Sequence, residues 1–101
     1  MNMAAFCYII FSPSLNKFYV GATQEDPEIR LQKHNASAYG NSKFTAKTSD
    51  WLIFLTIQTS SYRQALAIEK HIKSMKSTTY IRNLKQYNEM VLKLLEKYKT
   101  E

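Results

Sequence analysis

Three consecutive stretches decide the fold: Phe6-Cys7-Tyr8-Ile9-Ile10-Phe11, Lys17-Phe18-Tyr19-Val20-Gly21-Ala22-Thr23 and Asp26-Pro27-Glu28-Ile29-Arg30-Leu31-Gln32-Lys33-His34. The first is apolar, aromatic and β-branched, which predicts a buried strand. Ser12-Pro13-Ser14-Leu15-Asn16 is turn chemistry, and the second stretch reads as another strand. The pair predicts an antiparallel hairpin with a longer loop. Gly21 lies near its end, where a missing side chain lets a neighbour come close. The third stretch opens a helix: Asp26 can cap it, Pro27 suits its first position, and Glu28 complements the dipole. That helix should run to His34 or Asn35.

Further on, Trp51-Leu52-Ile53-Phe54-Leu55-Thr56-Ile57 predicts a third strand. Its unbroken apolar character suggests a central position covered on both faces. Residues 36–50 are polar and rich in small residues, and read as a loop. Ser60 or Ser61 can cap a helix from Tyr62 to about Met75, with Ala65, Ile68, Ile72 and Met75 as its inner stripe. Ser77 or Thr78 can cap a last helix, whose apolar face carries Tyr87, Met90, Val91, Leu94, Leu95 and Tyr98. The order is ββαβαα. The 101 residues, 45% of them hydrophobic, suit one α+β domain, with a core at 5–82 and a C-terminal helix at 83–99.

The net charge of +6 is unevenly spread. Residues 1–42 and 86–101 are each balanced. The surplus lies in 43–85, where Lys43, Lys47, Arg63, Lys70, Lys73, Lys76, Arg82 and Lys85 face only Asp50 and Glu69. Such a region suggests a polyanionic partner. One cysteine, Cys7, precludes an internal disulfide. No segment is a convincing signal peptide or has the roughly 18 apolar residues of a membrane span. These features favour a cytoplasmic protein with no membrane partner.

Several side chains could do chemistry. Arg30 and His34 stand four residues apart, on one helix face. Together with Tyr8 and Tyr19 they supply two phenols, a guanidinium and an imidazole, which are the parts needed to handle a phosphodiester. Glu69 is the lone acid among Arg63, Lys70, Lys73 and Lys76. Such a carboxylate stays ionised and is suited to bind one hard cation beside phosphate. Its plainer use is an i,i+4 pair with Lys73. Cys7 lies in a predicted buried strand and is a poor nucleophile. His71 has no second ligand at metal-binding spacing. There is no Gly-rich phosphate loop, CxxC or HExxH.

Taken in register, Phe6-Cys7-Tyr8, Tyr19-Val20-Gly21, Arg30, His34-Asn35, Lys43-Phe44-Thr45-Ala46-Lys47, Asp50-Trp51 and Ala65 to Lys76 with Glu69 inside resemble the GIY-YIG nuclease family. The likeness is to its small single-domain branch and to the N-terminal nuclease domain of bacterial excision-repair endonucleases. It spans roughly residues 5–82. It departs at Phe6, which stands for the first-motif glycine, and at Asn83, the nearest candidate for an asparagine that often follows the metal glutamate. The resemblance implies a three-stranded antiparallel sheet flanked by helices. It implies metal-dependent hydrolysis of DNA, with RNA left open. By the same resemblance, Glu69 would hold Mg²⁺ or Mn²⁺, and Tyr8 or Tyr19 would be the general base or orient the water. Arg30 would stabilise the pentavalent charge, and His34 would support a tyrosine or phosphate. Lys43, Lys47, Lys70 and Lys73 would grip the nucleic acid. The alternative is a non-catalytic nucleic-acid-binding module of the same fold. Repair, restriction and mobile-element roles all remain compatible.

Overall fold

The computed structural model describes residues 4–36 and 47–100. Two strands form the predicted hairpin, β1 (Ala5–Ser12) and β2 (Lys17–Thr23). The helix α1 (Pro27–Asn35) follows, then β3 (Leu52–Thr59) and α2 (Tyr62–Met75). Two further helices, α3 (Thr78–Gln86) and α4 (Asn88–Lys97), complete the chain. The sheet is antiparallel in the order β2-β1-β3. The architecture is therefore the expected α+β sheet with flanking helices.

The caps explain the helix starts. Asp26 accepts a hydrogen bond from the Glu28 backbone N–H at 2.9 Å, and Pro27 takes the first turn, where no N–H is needed. Ser61 and Ser77 accept from the N–H groups of Gln64 and Tyr80. In the hairpin loop Asn16 has φ 54°, a left-handed conformation that asparagine tolerates.

Three expectations are corrected. The central strand is β1, not β3. β1 is buried along most of its length, whereas β3 is an edge strand that buries Ile57 and Thr59 and exposes Leu52. The apolar run of β3 is split between the two sheet faces, with Ile53 on one cluster and Phe54, Leu55 and Ile57 on the other. Met75 is exposed, because α2 has by then run past the sheet and ends at Lys76 in a left-handed cap of φ 49°. The last helix is broken at Tyr87, whose backbone is extended. The break lets Ile81 and Leu84 of α3 and Val91 and Leu94 of α4 reach one core, which a single straight rod of about 30 Å could not cover.

That core joins Cys7, Ile9, Val20 and Ile57 of the sheet to Ile68 and Ile72 of α2 and to α3 and α4. The other face of the sheet carries Tyr8, Ile10 and Trp51, with Leu15, Tyr19, Leu31 and Ile53 packed around them. Cys7 is wholly buried, and burial pushes its thiol up to about 12. The nearby negative charge of Glu69 adds to that rise, and Lys73 offsets part of it.

Candidate functional site

Hairpin register brings the two motif tyrosines together. Tyr8 pairs with Gly21 and Ile10 pairs with Tyr19, so Tyr8 and Tyr19 are diagonal neighbours on one sheet face. A Cβ at Gly21 would lie 2.6 Å from Tyr8 Cζ and Oη. The phenol of Tyr8 therefore lies across the space that a side chain at position 21 would fill. Tyr8 is fully buried, while Tyr19 is half-buried.

The helix α1 turns Pro27, Arg30, Leu31 and His34 toward this face, an i, i+3, i+4, i+7 row. His34 is 2% exposed, and its Nε2 stands 2.8 Å from Tyr8 Oη. Its ring centroid is 5.1 Å from that of Tyr19. Burial, and then the positive charge of Arg30, lower the His34 pKa to about 4. The imidazole is neutral at pH 7, so one of its nitrogens is an acceptor.

Arg30 sits one turn before His34. Its Nη1 is 3.6 Å from Glu25 Oε2, which also accepts from Lys33 Nζ at 3.0 Å. Arg30 lines a recess of about 380 Å³ with Thr23, Gln24, Glu25 and Tyr62. Glu69 comes from α2 with its side chain 17% exposed, and its Oε2 accepts from Lys73 Nζ at 2.8 Å. The i,i+4 pair expected as its plainer use is formed. Lys73 Nζ also lies 5.6 Å from the centroid of the Tyr19 ring. A continuous path of contacts therefore runs from Glu69 through Lys73, Tyr19 and His34 to Tyr8.

Of the other expected contacts, Lys47 and Lys70 are exposed, while Lys43 lies outside the described residues. Asn83 belongs to α3, and its carbonyl accepts from the Tyr87 N–H at the end of that helix. His71 accepts or donates a hydrogen bond with Tyr98 Oη at 2.8 Å on the other side of the sheet. Among the described residues no group of three His, Cys, Asp or Glu could hold a metal ion. Phe6, the departure from the first motif, is a half-buried strand residue paired with Thr23 and Gln58.

Two polar anchors support the site and were not assigned from sequence. Asn35 donates from Nδ2 to the Trp51 carbonyl at 3.0 Å, and its Oδ1 accepts from the Trp51 N–H at 2.7 Å. It thus acts like a strand partner that ties the end of α1 to the start of β3. Asp50 accepts from Ser12 Oγ at 2.6 Å, Thr48 Oγ1 at 2.8 Å and the Ser14 N–H at 2.8 Å. The Ser12 hydroxyl, with these other donors, holds its carboxyl well below the usual carboxylate range. Both residues stood in the family register, but the sequence signal for these bonds was only a short polar side chain next to each element end.

No curated protein and no solved structure matches the chain. The profile of the GIY-YIG catalytic domain matches residues 4–88, which include both strand motifs, α1 and the whole of α2. With the two tyrosines of those motifs in register on one sheet face, this chain belongs to the GIY-YIG family of nucleases.

Proposed function

We propose that the chain is a divalent-metal-dependent endonuclease that hydrolyses phosphodiester bonds in DNA. The observation that carries the reading is the Tyr8–His34 hydrogen bond of 2.8 Å, made in a buried setting with a second tyrosine against the same imidazole. Within a family of nucleases, that arrangement supports the roles expected from the sequence.

Tyr19 is the tyrosine that solvent reaches, and it orients the attacking water. Tyr8 is sealed and hydrogen-bonded, so it holds His34, and through it the Tyr19 ring, in place. The neutral His34 is too weakly basic, with its pKa near 4, to store a proton at pH 7. Its role is positional. Arg30 faces an open recess, and its 3.6 Å contact with Glu25 is loose. A phosphate offers that guanidinium a two-pronged partner as negative charge builds up.

Glu69 supplies hard oxygen donors from a single side chain. That donor set fits an ion such as Mg²⁺ or Mn²⁺ that keeps most of its shell as water and phosphate. Such an ion, held by Glu69, would neutralise charge on the scissile phosphate. Lys73, already on the Glu69 carboxylate, would add a cation to the same phosphate.

The test is cleavage of labelled branched, nicked, single-stranded and duplex DNAs in Mg²⁺, Mn²⁺ or EDTA, comparing wild type with Glu69→Ala. Metal-dependent cutting is expected, and it should fall by about 10²–10³-fold or more in the variant while DNA binding survives. Binding without cutting, in both proteins and with every metal, would leave the non-catalytic module as the answer.

A further inference from the structure

Three cations near the site have acidic partners: Arg30 and Lys33 meet Glu25, and Lys73 meets Glu69; away from it, after α4, Lys99 meets Glu96. Two exposed cations of α3 are held in another way. The Arg82 guanidinium lies 5.3 Å from the centroid of the Phe18 ring, and Lys85 Nζ lies 5.0 Å from that of Phe54. The two rings meet edge to face at 4.9 Å, and Phe11 joins Phe18 at 4.8 Å. Among the described residues neither Arg82 nor Lys85 has a carboxylate within ion-pair distance.

The strand geometry accounts for this arrangement. Ile9 pairs with Leu55 and Ile10 with Ile53, so Phe54 is the extra residue of a bulge in β3. Its carbonyl is left out of the ladder and accepts from Lys85 Nζ at 2.9 Å. The bulge thus supplies both a ring and a carbonyl to one lysine. On the other edge strand, Phe18 immediately precedes Tyr19 but faces the opposite side of the sheet, the side of α2, α3 and α4 from which Glu69 and Lys73 reach the site.

An aromatic face restrains a cation without cancelling its charge, whereas a carboxylate does both. Arg82 and Lys85 are three residues apart on α3, hence neighbours on one helix face. We propose that they form a second phosphate-contacting row, which holds the DNA backbone flanking the cleavage site. The proposal rests on the function proposed above and adds a place where the substrate lies. Pre-ordered side chains lose little freedom on binding, so their contribution should exceed that of mobile lysines elsewhere.

The experiment is a titration of a labelled DNA duplex at several salt concentrations with three proteins: wild type, the double variant Arg82→Gln/Lys85→Gln, and the control Lys93→Gln/Lys99→Gln. Both double variants lose the same charge. Each phosphate contact contributes about 0.9 to the slope of log affinity against log salt. The slope should become shallower by about 2 in the α3 variant and stay at the wild-type value in the control. Equal slopes in all three proteins, or equal losses in both variants, would overturn the α3 row while leaving the nuclease reading intact. A wild-type protein that binds no DNA at any salt would overturn that reading as well.

Discussion

An added Cβ at Gly21 would meet Tyr8 Cζ and Oη at 2.6 Å, and the ring has nowhere to go. Tyr8 is wholly buried, and its hydroxyl is engaged by His34. Gly21→Ala should therefore destabilise the protein by about 1–3 kcal/mol, the usual cost of overpacking, and displace the phenol from the imidazole. Urea denaturation checks the first effect, and an unchanged midpoint would show that the ring yields freely. The sequence indicated that something approaches Gly21 closely. It did not say what, because the answer depends on the hairpin register that pairs position 21 with Tyr8. The same register explains why Tyr8 and Tyr19, each an ordinary strand tyrosine on its own, share a face. Lys73 was expected as a nucleic-acid contact and as the i,i+4 partner of Glu69, and that pair forms within α2; its reach to the Tyr19 ring, by contrast, depends on how α2 lies against β2.

Local chemistry made most elements legible. The Asp26-Pro27-Glu28 start of α1, the serine caps of α2 and α3 and the apolar β1 each specify their own structure. What escaped were properties that one element takes from another. An unbroken apolar run does not reveal whether a strand is central or an edge strand buried by helices on one side, so β3 was misplaced. Likewise, the helical period continues through Tyr87, and only the shared core explains the break between α3 and α4. Asn35 is the clearest joint between elements, because its amide completes both backbone bonds of Trp51. Asn35→Ala removes both and should cost about 2 kcal/mol. It should also speed hydrogen exchange at the Trp51 amide more than at the centre of β1. Uniform acceleration across the sheet would argue that the joint has no local effect.

At the scale of the whole molecule, the family match over residues 4–88 stops where α4 (Asn88–Lys97) begins, so that helix lies beyond it. Charge is apportioned along the same lines. Apart from Lys47, which precedes β3, the cations of the excess in 43–85 that the structure describes lie on α2, α3 and the turn between them. Composition located this excess correctly, but not its division into paired cations and cations laid on rings, which is a matter of packing. Among the described residues no helix is long and apolar enough to cross a membrane. The central strand has one more consequence. Cys7, the single cysteine of the chain, lies in the middle of the sheet, with its thiol pushed up to about 12. In the native protein it is chemically silent, so it is a built-in gauge of how often the molecule opens. An aromatic disulfide reagent should label it at least ~10³-fold more slowly in native buffer than in denaturant, because marginal stability limits the open population. Labelling at equal rates would mean that β1 is far less secure than its burial implies. If the rates differ as expected, every variant above can be ranked by the opening of one native sulfur atom, with no probe engineered into the chain.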